Sequence, residues 1–454
     1  MSEVVVIGAG CAGLAAADEL RRAGIDVAVF EARDRVGGRI ATLRVPSLPV
    51  PVELGAEFVH GADAAETFRI ASLANLLTVE LTGSQWRAED GRIEPLGHFW
   101  ARIERFMRRL DPDVTPDRSF RASLDLWTAG RAPSDDEVLA LRFVEGFHGA
   151  DPDRISTRAL ARSQPTGDPH ESARQFRILS GYDGIPAWLA SRLEPGTLRL
   201  GTVVTRIGWR RGSVRVDYHG SGGVAGSIHA RAAIVSVPLG VLQAPPGEPG
   251  AIRFEPELHE KREALDGLAM GSAYRIAFRF VRPFWEDLPA LRAADGVSPG
   301  PMGFLHTPRA SGVSVWWTPF PAHAPLLVGW AGGPTARRLA AAGPEQTATL
   351  AIRDLETHLG LSAGELEALV EEWWTHDWQN DPFARGAYAY PVVGGENASR
   401  LLSRPLENTL FFAGETTDTE RIGTAEGALA SGRRAAAEVI AALRPEAAGH
   451  PIPG

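Results

Sequence analysis

The glycine pattern Gly8-Ala9-Gly10-Cys11-Ala12-Gly13 most narrows what this chain can fold into. It follows a short apolar run, residues 3–7, that reads as a buried parallel strand. It opens residues 12–23, which are rich in Ala and Leu, stop at Gly24 and read as a helix. Residues 26–30 read as a second strand, and Glu31 ends it 18 positions after Gly13. Strand, glycine turn, helix, strand and closing carboxylate together are the context a dinucleotide fingerprint requires. Gly8 permits the tight turn, Gly10 lets a pyrophosphate approach the backbone, and Gly13 lets helix and strand pack closely. The helix N-terminus offers free N–H groups and partial positive charge to phosphates. Glu31 accepts hydrogen bonds from a ribose. On these residues alone, NAD and FAD both fit.

The 454 residues suggest two or three domains. Residues 62–195 read as mostly helical, with helical spacing at 98–110, 134–149 and 184–193. Segments 201–207, 213–219 and 227–231 read as a small meander with glycine-rich turns, followed by a buried strand at 233–237. Segments 272–281, 313–318 and 326–331 read as longer strands of a second sheet. Residues 345–359 and 363–372 read as helices, 410–413 as a last buried strand and 424–443 as a long Ala-rich helix.

A net charge of −9 argues against a nucleic-acid partner, which would demand a basic stripe. With Cys11 the one cysteine, neither an intrachain disulfide nor a cysteine zinc site can form, and no metal site is expected. The first ten residues carry no basic segment and no long apolar run, so no signal peptide is expected. Without an uncharged apolar run of about 18 residues no membrane span is expected, and the default is a soluble cytoplasmic protein. The one lysine, Lys261, leaves nearly all positive charge to arginine.

Beyond Glu31 the chain continues Ala32-Arg33-Asp34-Arg35-Val36-Gly37-Gly38-Arg39. Arg39 is placed to neutralise a pyrophosphate by bidentate contact. Here the sequence resembles the FAD-binding N-terminus of the flavin amine oxidases, the superfamily of monoamine oxidases, polyamine oxidases and flavin histone demethylases. Further motifs follow in the family's order: Glu53 to Gly61, Gly181 to Pro186, Val203 to Ile207, Val235 to Leu242, Gly271 to Trp285, Trp378 to Tyr390, Phe412 to Thr417 and Gly423 to Ala428. The resemblance implies an α/β protein of two domains, a Rossmann-like FAD-binding domain and a discontinuous substrate domain of mixed sheet plus helices. The FAD-binding domain would take 1–80, 197–250 and 395–445, the substrate domain 81–196 and 251–394, with 446–454 as a tail. It implies that Gly8, Gly10, Gly13, Glu31, Arg33, Gly38 and Arg39 hold the adenosine and pyrophosphate. Val204 packs near the adenine, and Gly414 and Glu415 hold the ribityl–phosphate part. Gly55, Ala56, Glu57 and the backbone near Thr424 and Ala425 lie at the flavin ring.

The resemblance also implies where chemistry occurs. Tyr388 aligns with one wall of the family's aromatic cage, and the opposite wall falls on Thr424. That half-open cage is closer to polyamine oxidases and histone demethylases. Trp378 either lines the same cavity or packs the core. His60 sits where animal polyamine oxidases also carry histidine; it either takes a proton from a substrate ammonium or is structural. Glu57 either attracts a second amine or is solvated or backbone-bonded. Residue 387 is Ala where monoamine oxidases place a tethering cysteine, so FAD is expected to be non-covalent. Arg275 replaces a lysine that usually holds a water near the reactive flavin nitrogen. Arginine either still holds that water, or slows oxygen use, or reflects the arginine-rich composition. The expected reaction oxidises a primary or secondary amine, polyamine-like favoured, to an imine that hydrolyses to aldehyde, while dioxygen becomes hydrogen peroxide. The rivals are an L-amino-acid oxidase or a desaturase on the same fold, and a weakly catalytic flavin-binding partner protein.

Overall fold

The computed structural model describes residues 2–163, 174–288, 291 and 301–444. The expected tail 446–454 lies outside them. A five-stranded parallel sheet has the order Leu198–Arg199, Val27–Phe30, Val4–Ile7, Ala232–Val235, Leu410–Phe412. Side chains alternate across a strand, and here both faces are covered. Val4, Val6, Val29 and Ile234 pack under the helices Cys11–Arg22 and Ala425–Leu443. Val5, Ile7, Phe30 and Val235 pack against a four-stranded layer on the opposite face. That double burial is why these strands read as unbroken apolar runs. The two helices touch closely: a Cβ on Gly432 would stand 2.1 Å from the Ala12 carbonyl oxygen. The helix Gly184–Ser191 joins the same core through Ile185 and Leu189.

The opposite layer is the meander Ala225–Ala230, Ser213–His219, Val203–Arg210, with Arg253–Glu255 added in parallel. A seven-stranded mixed sheet runs Val370–Thr375, Ala273–Phe280, Leu326–Gly332, Val315–Trp317, Met302–His306, Ser84–Glu89, Arg92–Pro95. Alternation again sorts its residues. Tyr274, Ile276 and Phe278 face the helices Gly333–Ala342 and Pro344–Leu359. Ala277, Trp317 and Val328 share the other side with Leu54 and Phe58. A helical layer of Phe99–Met107, Phe120–Thr128, Asp135–Phe147 and Thr157–Arg162 packs beside this sheet. Ser134 and Glu137 form a reciprocal capping box that starts the third of these helices.

Two expectations are corrected. Residues 363–372 do not form a helix: one turn at Glu367–Leu369 leads into the strand Val370–Thr375, which pairs antiparallel with Ala273–Phe280. Bulky Val370, Trp373 and Trp374 suit that sheet edge, and the pairing overrides local helix spacing. The region 62–195 is less helical than expected. Thr78–Glu80, Ser84–Glu89, Arg92–Pro95 and Gln175–Ile178 are strands: Ser84–Glu89 and Arg92–Pro95 form a hairpin across Asp90-Gly91, and Met302–His306, far along the chain, pairs with the first of them.

Candidate active site

One cavity of about 950 Å³ runs from the C-terminal ends of the parallel strands to the face of the seven-stranded sheet. Its walls include every residue named above as a site candidate except Gly13. The volume is at the upper end for ligand pockets, room for a large cofactor with a substrate beside it.

At the nucleotide end the backbone makes the site. Gly8 has φ +103°, a conformation side-chain-bearing residues rarely adopt. A Cβ on Gly13 would stand 1.9 Å from the Gly8 carbonyl oxygen, so Gly13 serves the turn from behind it. Gly10 and Gly414 have no atom within 4 Å of where a Cβ would be and stand open on the cavity. The helix Cys11–Arg22 starts there with no side-chain cap and no acidic residue in its first turn. Its N–H groups are therefore free for an anion. This open glycine cradle at an uncapped helix end fits the pyrophosphate of a dinucleotide. Cys11 is buried, and burial pushes its thiol up to about 12.

Side chains brace the cradle. The Glu31 carboxylate accepts from Ala9 N–H at 2.7 Å and Arg33 N–H at 2.9 Å, stapling the turn while keeping lone pairs for a ribose. Arg33 pairs with Asp381 at 2.7 Å and lies over the Phe383 ring. Arg39 donates to Glu415 at 2.8 Å and to the Ala387 carbonyl at 2.7 Å. Glu415 is buried and also accepts from Gly423 N–H at 3.0 Å. Gly38 has φ +59° and passes close to Gly10, and Val204 is a buried wall residue.

Midway, the Gly55-Ala56 segment lies against Arg39, whose carbonyl oxygen accepts from Ala56 N–H at 3.2 Å. Trp378 donates to the Leu54 carbonyl at 2.8 Å and packs on Gly55. Its indole thus supports this loop as well as lining the cavity. Thr424 is the N-cap of the last helix, accepting from Gly427 N–H at 3.0 Å and donating to Arg421 O at 2.7 Å. Its hydroxyl is spent on the cap, and it directs the start of the helix, with Ala425, toward the cavity.

The far end is aromatic. Phe143 and Phe147, four apart on one helix, stack at 4.8 Å. The His60 ring lies 5.2 Å from Phe147 and 6.2 Å from Phe58. Trp317 approaches Trp330 at 6.1 Å and Phe58 at 5.3 Å. The Tyr388 hydroxyl donates to the carbonyls of Phe147 at 3.0 Å and Gly146 at 3.2 Å, tying its ring to the turn that bears Phe147. Burial, with the Glu415 charge, raises its phenol above the usual range. His60 is open to the cavity but enclosed by protein, and burial pushes it down to about 4. It is neutral at neutral pH.

Glu57 is the main correction at this end. Its carboxylate is held by Arg275, by Arg177 at 2.9 and 2.6 Å, and by the Trp317 indole N–H at 3.0 Å. Burial alone would raise it, but the two guanidinium charges outweigh this and hold it below the usual carboxylate range. A carboxylate so saturated does not attract a second amine. Arg275 also donates to Gly55 O at 3.1 Å and lies over Trp317. Arg177, Phe143, Phe147, Trp317 and Trp330 were not singled out from sequence. The spacing of Phe143 and Phe147 was the one available signal; Arg177 lies 120 positions from Glu57 and offered none.

A family model described as flavin containing amine oxidoreductase matches residues 11–440. The chain belongs to this family. It is 29% identical to "Probable polyamine oxidase 4" of Arabidopsis thaliana, over 94% of this chain and 85% of that protein. It is 30% identical to "Polyamine oxidase 4" of Oryza sativa subsp. japonica, over 96% of this chain and 88% of that one. Its fold matches a putrescine-bound putrescine oxidase with TM-score 0.78 at 20% identity, covering 97% of this chain and 99% of that one. FAD is thus the dinucleotide of this flavin amine oxidase. Among the described residues no helix is long and apolar enough to cross a membrane, and no cluster of metal ligands occurs.

Proposed function

We propose that this FAD-dependent amine oxidase acts on di- and polyamines with dioxygen as acceptor. The observation that carries this reading is the continuity of one cavity from the glycine cradle to the Phe147, Tyr388, Trp317 and Trp330 walls. We infer that the FAD-binding domain comprises 1–80, 197–250 and 395–445 and the substrate domain 81–196 and 251–394, except that the helix Gly184–Ser191 within the latter range packs into the core of the FAD-binding domain. The nominated residues keep their proposed stations: Gly8, Gly10, Glu31, Arg33, Gly38 and Arg39 at the adenosine and pyrophosphate, Val204 at the adenine, and Gly414 and Glu415 further along. Gly55, Ala56 and the helix start at Thr424 and Ala425 meet the ring. Ala387 supports a non-covalent cofactor.

Bound there, FAD supplies the two-electron acceptor for hydrogen leaving the carbon beside the amine nitrogen. Water then releases aldehyde. One secondary amine, one dioxygen and one water thus yield one aldehyde, one primary amine and one hydrogen peroxide. The aromatic faces attract an alkylammonium and exclude water. Neutral His60 offers an acceptor nitrogen without adding a repelling positive charge. Arg142 is held by Glu145 and by the carbonyls of Pro308 and Ala310, and Arg275 by Glu57. Neither is free to clamp a carboxylate, which favours amines over amino acids. Anaerobic bleaching tests the reading: spermidine, acetylated polyamines or putrescine are expected to bleach the flavin faster than benzylamine or amino acids. Bleaching by small aromatic monoamines alone would overturn it.

A further inference from the structure

Behind Arg275 lies a second, small chamber of about 20 Å³. Glu53, Glu57, Arg177 and Arg275 border it, with Leu326 and Val328 among its apolar walls. That is space for one water, with polar partners enough to hold it. Arg275 borders both cavities, and its buried Nε–H has no protein partner. Glu53 sits on the strand Val52–Glu53, two residues before Gly55. It accepts from the Thr42 hydroxyl at 2.6 Å and from Tyr182 N–H at 2.7 Å, which leaves carboxylate lone pairs unused.

We infer that this chamber holds one buried water joining Glu53 to the Glu57–Arg275–Arg177 cluster, and that Glu53 is the ionisable positioning group that sets the charge behind the flavin-facing arginine. The second clause rests on the reading that the FAD ring lies against Gly55 and Ala56.

Two guanidinium cations against one carboxylate leave the cluster with one net positive charge. Ionised Glu53 cancels it; protonated Glu53 leaves it standing. Burial pushes Glu53 up to about 7, against the Thr42 hydroxyl and Tyr182 N–H, with Glu57 adding to the rise and Arg275 opposing it. The other charged or titratable groups that sense it are Arg44, paired to Asp183 at 2.8 Å, and the Tyr182 phenol, which burial keeps protonated. Glu53 therefore changes charge near neutral pH, while Glu57 stays ionised. A net positive cluster favours the electron-rich reduced cofactor, so protonation of Glu53 raises the flavin midpoint potential. Glu53 makes and breaks no bond to substrate.

The test compares wild type with Glu53→Gln, which keeps the shape and removes the ionisation, as holoenzymes across pH. Below about pH 5.5 the two midpoint potentials are expected to coincide, and above about pH 8 wild type to lie lower, with the step near neutrality. Thr42→Val removes a donor that favours the ionised form and should move the step to higher pH. Thermal unfolding gives a readout independent of the flavin. Between its unfolded and folded pKa values, native Glu53 binds more proton than the unfolded chain, so wild-type stability falls as pH rises through this window. Glu53→Gln should thus gain in Tm relative to wild type from about pH 5 to about pH 8 and then level off. If neither difference depends on pH, Glu53 does not titrate there and the inference is wrong. If the Tm difference appears but the potentials differ equally at every pH, the coupling is overturned together with the placement of the ring at Gly55 and Ala56. A crystal structure at high resolution without water density in the chamber would overturn the first clause.

Discussion

The two ends of the cavity are built on opposite principles. At the nucleotide end the surface is largely backbone, most of it from the stretch Gly8 to Arg39 with Gly414 added from far along the chain, and side chains such as Glu31 staple its turns. At the substrate end the surface is side chains drawn from distant segments, with Glu57, Arg177, Arg275 and Trp317 meeting across two sheets. The first end is rigid because glycines permit conformations and approaches nothing else does. The second is rigid because buried charges saturate one another. Damage should therefore take different forms at the two ends.

The largest effect is expected from Glu57→Ala. It would leave two buried guanidinium groups uncompensated, and breaking a buried ion pair in this way costs about 3–5 kcal/mol. Chemical denaturation should show the loss, with a smaller one for Glu57→Gln, which keeps an acceptor for the Trp317 N–H. If Glu57→Ala costs less than about 1 kcal/mol, the substrate end is not held by its charges and the contrast fails.

The same contrast explains what the sequence disclosed. Gly8 to Glu31 was legible because strand, turn and helix are contiguous and each glycine has a local reason. The alternating burial of Val4 to Ile7 on both faces likewise follows from a run too apolar to meet water. Residues 363–372 misled because their strand exists through its pairing with Ala273–Phe280, about a hundred positions earlier. Ser84–Glu89 has one distant partner, Met302–His306, but its hairpin with Arg92–Pro95 across Asp90-Gly91 was a local signal that was missed. At the site, Glu57 was visible as a carboxylate in a motif, but its role depends on Arg177 and Arg275, which no spacing connects to it. Thr424 lines the cavity, but its hydroxyl belongs to the helix cap, which was not foreseen from sequence.

Gly13→Ala should be next in size and different in kind. The added Cβ would meet the Gly8 carbonyl oxygen at 1.9 Å, so the helix must move away from the turn. Overpacking of this sort costs about 1–3 kcal/mol, and here the neighbour is backbone and cannot swing aside. FAD content of the purified protein should fall steeply while the seven-stranded sheet, far from the change, keeps its fold. Full retention of FAD would show that the cradle tolerates distortion and that backbone geometry is not what holds the nucleotide end.

Arg275→Lys is expected to have the smallest effect and probes the finest point. The guanidinium engages three groups at once: Glu57, the Gly55 carbonyl and the face of Trp317. An ammonium keeps the charge beside Glu57 but is a compact donor without a planar face. It gives up one hydrogen bond, worth about 0.5–1.5 kcal/mol, and weakens a cation–π contact of similar size. A stability loss of about 1 kcal/mol is therefore expected, with FAD content unchanged, because the nucleotide end is untouched. The kinetic consequence should be just as local. The Gly55 carbonyl belongs to the segment proposed to face the flavin ring, so releasing it alters what meets dioxygen there, while the aromatic walls proposed to receive the amine stay in place. Stopped-flow measurement should show reduction by amine little changed and reoxidation by dioxygen altered. If both half-reactions and the Tm match wild type, the fork of Arg275 does nothing that a point charge cannot, and the substrate end depends on charge alone rather than on the geometry of its side chains.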